Sequence, residues 1–281
     1  MKHHRRRIPR LRPNPLLLRN LVPNIATGAA CACGITSIRF ACAGAWIHAV
    51  VFILVACMLD GIDGRLARLL GATSRLGAEL DSLSDFVCFG VAPALLLYFW
   101  ATDLPAGAAP LPRLLLNLLW ALALFYALCG AFRLARFNTM LDEPTSPAWK
   151  HFFMGLPAPG GAGLCMMPIL WELGFMDPGQ ALPGRIYFAL ASLFACGALL
   201  ACRIPTPSIK RLRISRPWLV PFLLLVLLTI AFLVAEFWKT LCAIGFLYYL
   251  SIPVCAWLFI RLSARIPPSA EPLPPSIPPA P

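Results

Sequence analysis

At 281 residues, 59% of them hydrophobic and only 13% charged, with a mean hydropathy of +0.76, the chain lies far outside the soluble globular range and reads as polytopic. Its formal net charge of +12 fits the loop asymmetry of a membrane protein and contact with anionic membrane lipids, with no nucleic acid as partner.

In chain order, residues 1–20 form a basic arm whose HHRRR run is expected to rest on anionic headgroups. A secretory signal is disfavoured, because the next apolar stretch carries Pro23 and Asn24 and leads toward an acidic segment. Apolar stretches then recur at about 22–38, 45–59, 86–101, 114–132, 155–174, 186–202, 217–235 and 240–260. Each approaches the length of a spanning helix, which predicts an all-α membrane bundle of about eight transmembrane helices in one domain. From about Ile266 the chain is Pro-rich and expected to be disordered. The eleven cysteines are scattered through the apolar stretches without a CxxC pair and read as small packing residues. His3, His4 and His151 lie in basic segments, and His48 opens an apolar helix on the far side from the acids, so no histidine is placed as a ligand.

With the N-terminus in the cytosol, 20 of the 24 Lys and Arg fall in cytosolic segments, and only Arg39, Arg113, Arg185 and Lys239 fall outside. That asymmetry predicts both termini in the cytosol.

Between the second and third apolar stretches runs DGIDGRLARLLGATSRLGAELDSLSD, from Asp60 to Asp85. An Asp near the bilayer centre costs about 2.5–3.5 kcal/mol, so four of them in one segment imply a bound cation. On helices, Asp60, Asp63, Gly64 and Ala67 share one face, and Gly77, Asp81 and Asp85 share a face of the next. Carboxylate oxygens suit hard cations such as Mg²⁺ or Mn²⁺, while Gly and Ala leave room for a ligand and Arg68 offers donors for a phosphate. Together these point to a pyrophosphate. About 15 apolar residues precede Asp60 and about 16 follow Asp85, so both pairs lie at one level, about 22–24 Å from the far boundary. Glu79 falls on the opposite face from Asp81 and reads as structural.

The pattern DxxDGxxAR, eight residues, G, three residues, D, three residues, D resembles the signature of the CDP-alcohol phosphatidyltransferases. It is filled at all eight positions, by Asp60, Asp63, Gly64, Ala67, Arg68, Gly77, Asp81 and Asp85. Pro23, Asn24 and Thr27 match the PNxxT that commonly precedes the first helix of that family. Within the family, FGVAPALLLY, FRLARFN, FFMGLPAPGGAG and IPTPSIKR look like stretches of the bacterial membrane-embedded phosphatidylserine synthases. Phe86 follows the fourth Asp where the phosphatidylglycerophosphate and cardiolipin branches usually place Lys and the inositol-phosphate branch Arg. The eight-residue spacer is shorter than that of the bacterial phosphatidylcholine synthases.

The resemblance implies a homodimer in a bacterial inner membrane, its active site facing the cytosol. Each chain would hold a six-helix core over residues 21–216, after the arm 1–20 and before two further helices at 217–262 and a tail at 263–281. It implies two metal ions, Mg²⁺ or Mn²⁺, held by Asp60, Asp63 and Asp81 with Asp85, the last also acting as general base. CDP-diacylglycerol would lie against Gly64, Ala67, Arg68 and Gly77, with Asn24 and Thr27 near, and the hydroxyl of L-serine would displace CMP. For the serine carboxylate the best-placed cations are Arg133 and Arg136, with Asn138 and Lys150 nearby, although these could equally be interfacial charges that set topology. Two alternatives stay open: another branch of the family, such as a phosphatidylglycerophosphate synthase, and an ion transporter. Clustering of the acids at one end, without an inverted repeat of the motif, disfavours the transporter.

Overall fold

Helix α1 (Pro15–Cys42) buries one narrow stripe, Pro23, Thr27, Ala30, Gly34, Ser37 and Ala41, spaced four and three residues apart in alternation. The stripe is made of small side chains, so α2 (Trp46–Leu70) can lie close along it. A hydrogen bond from the Ser37 hydroxyl to the Ala49 carbonyl at 2.8 Å ties the pair. The coordinates are those of a computed structural model that describes residues 15–71, 74–104, 107–140, 152–177, 180–202, 205–207 and 218–263. Most of the basic arm, the Pro-rich tail and Lys150 lie outside the described residues. Pro23, Asn24 and Thr27 fall inside α1, not ahead of it. Pro23 sits in the third turn, where its missing N–H leaves the helix otherwise continuous.

The third apolar stretch is one rod with a defect in it. Helix α3 (Arg75–Asp85) runs through a π-helical turn, Phe86–Val91, into α4 (Ala92–Thr102). The cause lies at Pro93, which cannot donate to the preceding turn, so a carbonyl there needs another partner. Tyr126 of α5 (Arg113–Met140), itself fully buried, donates its hydroxyl to the Phe89 carbonyl at 3.0 Å. Gly130, one turn along α5, lies against Gly90 so closely that an added Cβ would sit 3.4 Å from the Gly90 Cα.

The stretch expected as one helix over 155–174 is two, α6 (Ala158–Cys165) and α7 (Met167–Phe175), broken at Met166. Pro168 lacks the N–H that would continue the ladder, and the Ser192 hydroxyl of α8 (Arg185–Ala201) caps the Cys165 carbonyl at 2.9 Å. Two short strands add to the expected all-α architecture. These are β1 (Phe152–Met154) and β2 (Pro205–Pro207), antiparallel with Phe153 opposite Thr206. The prolines suit an edge strand, since their missing donors can face away from the ladder.

Helices α9 (Leu219–Ala235) and α10 (Phe237–Ser263) complete the described chain. Helix α9 has no buried residue and is apolar all round, the pattern of a helix whose surroundings are lipid tails. Helical stretches at 21–42, 46–70, 75–102, 113–139 and 237–258 are long and apolar enough to cross a membrane, with shorter apolar helices at 185–201 and 219–235. The chain is thus a polytopic helical membrane protein. Its core gathers Ile53, Leu96, Leu97, Trp100, Leu119, Tyr126, Ile169 and Leu193 from five of the helices. All eleven cysteines are free, and Cys88, Cys129, Cys165, Cys196 and Cys242 are buried, in keeping with a packing role.

One polar knot closes the end of the bundle where α2 begins. Glu172 of α7 accepts from the Arg185 Nε at 2.8 Å, pairs again with Arg185 Nη2, and accepts from the Leu182 N–H at 2.8 Å and Trp100 Nε1 at 3.3 Å. Arg185 Nη1 donates onward to the Asp103 carbonyl at 2.6 Å. Glu172 and Arg185 border the same recess as Trp46, the first residue of α2. Trp46 and Asp60 are 14 residues apart on α2, so roughly 21 Å of helix separates the knot from the acids.

Candidate active site

The acids of α2 continue its buried stripe. Ala49, Ile53 and Ala56 face the core, and the same four-and-three spacing carries the face on to Asp60, Asp63 and Ala67. Beneath them a small cluster of Ala56, Cys88, Phe89, Ala158 and Ala162 closes the apolar side. Helix α2 ends at Gly71, whose left-handed backbone (φ 55°, ψ 37°) lets its N–H return to the carbonyls of the last turn. After the turn, Ser74 caps α3, accepting from the Gly77 N–H at 3.0 Å. The turn therefore reverses the chain between two capped helices and sets their acidic faces toward each other.

Asp60, Asp63 and Asp81 each offer an oxygen to one point, with these atoms within 4.8 Å of one another. Three hard oxygen donors at that separation fit a divalent cation such as Mg²⁺ or Mn²⁺. Asp63 is 4% exposed and accepts from the hydroxyl of Thr27, also 4% exposed, at 2.7 Å. Asp85 sits one turn beyond Asp81 with its carboxyl group close to that of Asp60. Arg133 lies within electrostatic reach of Asp85. It belongs to the same α5 face as Tyr126 and Gly130, so the contacts that seat α5 on the π turn also deliver its guanidinium to the acids.

The small residues of the motif divide in two. A Cβ added to Gly64 would meet nothing within 4 Å, so this side of α2 is open to a ligand, and Arg68 is exposed one turn further on. At Gly77 a Cβ would stand 2.9 Å from Asn24 Oδ1 and 3.1 Å from Ser74 Oγ, so this glycine makes room for α1. Asn24 and Thr27 are accordingly occupied inside the protein, against α3 and α2.

Of the cations expected around a carboxylate, Arg133 is half-buried and donates Nε to the Leu156 carbonyl, whereas Arg136 donates Nη1 to the Ala201 carbonyl at 3.0 Å. Asn138 donates to Ser82 Oγ at 3.0 Å, beside Asp81. Three of the four expected residues thus lie on the last turns of α5 at the acidic end. Ser84 escaped the sequence reading: buried next to Asp85, it donates to the Thr27 carbonyl at 3.2 Å and ties α3 to α1. Glu172 also escaped it, although a lone acid inside an apolar stretch already signals a partner.

The family model described as CDP-alcohol phosphatidyltransferase matches residues 20–201, and that described as CDP-alcohol phosphatidyltransferase 2 matches residues 214–253. Among curated relatives, the CDP-diacylglycerol–serine O-phosphatidyltransferase of Mycobacterium leprae is 40% identical over 193 residues, 66% of this chain and 57% of that protein. The protein of the same name from Helicobacter pylori strain 26695 is 31% identical over 252 residues, 89% of this chain and 94% of its own length. That from Bacillus subtilis strain 168 is 34% identical over 176 residues, covering 60% of this chain and 90% of its own. The match spans about half the length of the mycobacterial relatives, from 46% to 57%. With the acid signature folded into one cluster and the family model matching residues 20–201, the chain belongs to the CDP-alcohol phosphatidyltransferase family.

Proposed function

We propose that this protein transfers the phosphatidyl group of CDP-diacylglycerol to the hydroxyl of L-serine, giving phosphatidylserine and CMP. The observation that carries the reading is the convergence of Asp60, Asp63 and Asp81 within 4.8 Å beside the open backbone at Gly64. The shared name of the relatives from three genera supports serine as the acceptor.

In this reading Asp60, Asp63 and Asp81, with Asp85, hold two divalent ions, Mg²⁺ or Mn²⁺. When bound, these neutralise the diphosphate and stabilise CMP as it leaves. Gly64 and Ala67 let the diphosphate approach α2, and exposed Arg68 contacts its oxygens. The serine oxygen forms its bond to the phosphorus that carries diacylglycerol, the bond from that phosphorus to the CMP oxygen breaks, and Asp85 takes the hydroxyl proton. Arg133 is the better placed partner for the serine carboxylate, because it lies within reach of Asp85 whereas Arg136 is turned to the Ala201 carbonyl. Its contact to Leu156 would hold the guanidinium in place as the substrate enters.

The proposed setting is a bacterial inner membrane, crossed about eight times, with both termini and the acids in the cytosol where nucleotides are found. The core would span 21–216 and two further helices 217–262, in a homodimer. The test is CMP release by the purified full chain from labelled CDP-diacylglycerol and Mn²⁺, offered L-serine, glycerol 3-phosphate or inositol in turn. Serine should give the fastest release and a phosphatidylserine product. Faster release with glycerol 3-phosphate would replace the acceptor while leaving the phosphatidyl transfer intact.

A further inference from the structure

We propose that Thr27 is a positioning residue for the cation site, its hydroxyl fixing the Asp63 carboxylate and making no contact with nucleotide. The inference rests on the metal-site reading above. Thr27 and Asp63 are each only 4% exposed, so neither hydroxyl nor carboxylate offers a face to a nucleotide in the open space beside Gly64.

The hydroxyl has one proton and two acceptors in range, Asp63 Oδ2 at 2.7 Å and the Pro23 carbonyl at 3.2 Å. A threonine inside a helix ordinarily bonds the carbonyl four residues back. Here the carboxylate oxygen is the nearer acceptor, 2.7 Å against 3.2 Å, so the hydroxyl proton lies with Asp63. With Oδ2 held by Thr27, the lone pairs that remain on Asp63 are those available to a cation. The β-branched side chain is stiff at χ1, and the backbone behind it is held by Ser84 of α3 through the 3.2 Å bond to the Thr27 carbonyl. Thr27 therefore joins α1, which carries no acid of its own, to both acid-bearing helices at one point. Such a second partner on a ligating carboxylate typically sets metal affinity by 10- to 100-fold.

The test is Mn²⁺ binding to the detergent-purified full chain without substrate, followed by electron paramagnetic resonance. Thr27→Val, which keeps shape and removes the hydroxyl, should weaken Mn²⁺ about 10-fold or more, while Thr27→Ser should stay within about threefold of wild type. Should Thr27→Val not be recovered folded, Thr27→Ala is measured in its place with the same expectation. CDP-diacylglycerol binding at saturating Mn²⁺ should be unchanged in Thr27→Val; a loss there with Mn²⁺ affinity intact would make Thr27 a nucleotide contact and overturn the proposal. Asp63→Asn separates the two readings. If wild type binds no Mn²⁺ that Asp63→Asn weakens, the metal-site reading fails and the Thr27 role with it. If Asp63→Asn weakens binding but Thr27→Val matches wild type, the Thr27 role alone is wrong.

Discussion

The four acids are alike in chemistry and unlike in surroundings, and in the proposed reaction that difference divides their work. Asp63 is enclosed and held by Thr27, whereas Asp85 stands beyond the three-acid cluster, against Asp60 and within reach of Arg133. An acid held on two sides suits a fixed ligand. An acid at the edge of the cluster, next to a guanidinium that can carry the acceptor's carboxylate, suits proton transfer. Asp85→Asn should therefore lower turnover by about 10² to 10⁴ while leaving CDP-diacylglycerol binding measurable, because general-base loss is typically worth that much. Asp63→Asn should weaken Mn²⁺-dependent binding of the same lipid as well. The check is a pair of measurements on each variant, CMP release and equilibrium lipid binding; Asp85→Asn turning over within about tenfold of wild type would remove its role as base.

Among the helices, the π turn, the break at Met166 and the buried acid Glu172 each have a partner on a neighbour that makes them tolerable. The Phe89 carbonyl in the π turn is met by Tyr126, the Cys165 carbonyl at the break is met by Ser192, and Glu172 is met by Arg185, Trp100 and the Leu182 N–H. The Glu172–Arg185 pair, with both side chains 10% exposed, ties α7 to α8 and to the end of α4. Glu172→Gln would leave a buried guanidinium without its counter-charge, a change that typically costs about 3–5 kcal/mol. Thermal unfolding in detergent should show that loss, and the double variant Glu172→Gln, Arg185→Met should recover part of it. The fraction still folded should turn over normally, since the knot lies roughly 21 Å along α2 from the acids. The pattern of what the sequence disclosed follows the same division. The acid faces were legible because helical spacing alone decides which residues align, and Gly71 and Ser74 only execute a reversal already implied by two acidic faces that must meet. Pro93 and Pro168 stand in the sequence, but the carbonyl freed at each finds its partner only on a side chain 27 or more residues away, as Thr27 does in its bond to Asp63, so these features were not legible. The family resemblance placed Thr27 near the site, but only the fold gives its hydroxyl an acceptor.

For the molecule as a whole, orientation decides whether the acids can meet a cytosolic nucleotide at all. Twenty of 24 basic residues fall on the proposed cytosolic side, and one of the four exceptions, Arg185, is largely buried against Glu172. Arg185 is held by Glu172, Lys239 pairs with Glu236 at 3.1 Å, and the Arg39 guanidinium lies 5.8 Å from the Phe40 ring centroid. Largely buried in its pair with Glu172, Arg185 has less to give to headgroups than a free arginine, whereas Lys239 and Arg39 are exposed. The arginines at the acidic end are different. Arg68 and Arg75 are exposed close to the acids, where an anionic leaflet and an anionic substrate would both draw them. Reporter fusions after Ala106 and Pro178 should therefore read as outside, and fusions after Ser146 and Ser208 as cytosolic, the four sites lying before and after α5 and α8 in the sequence. Inverted readings at any two of them would turn the bundle over. The Asp cluster would then face away from the nucleotide pool, and a CDP-linked substrate could no longer be reconciled with the position of its own binding site.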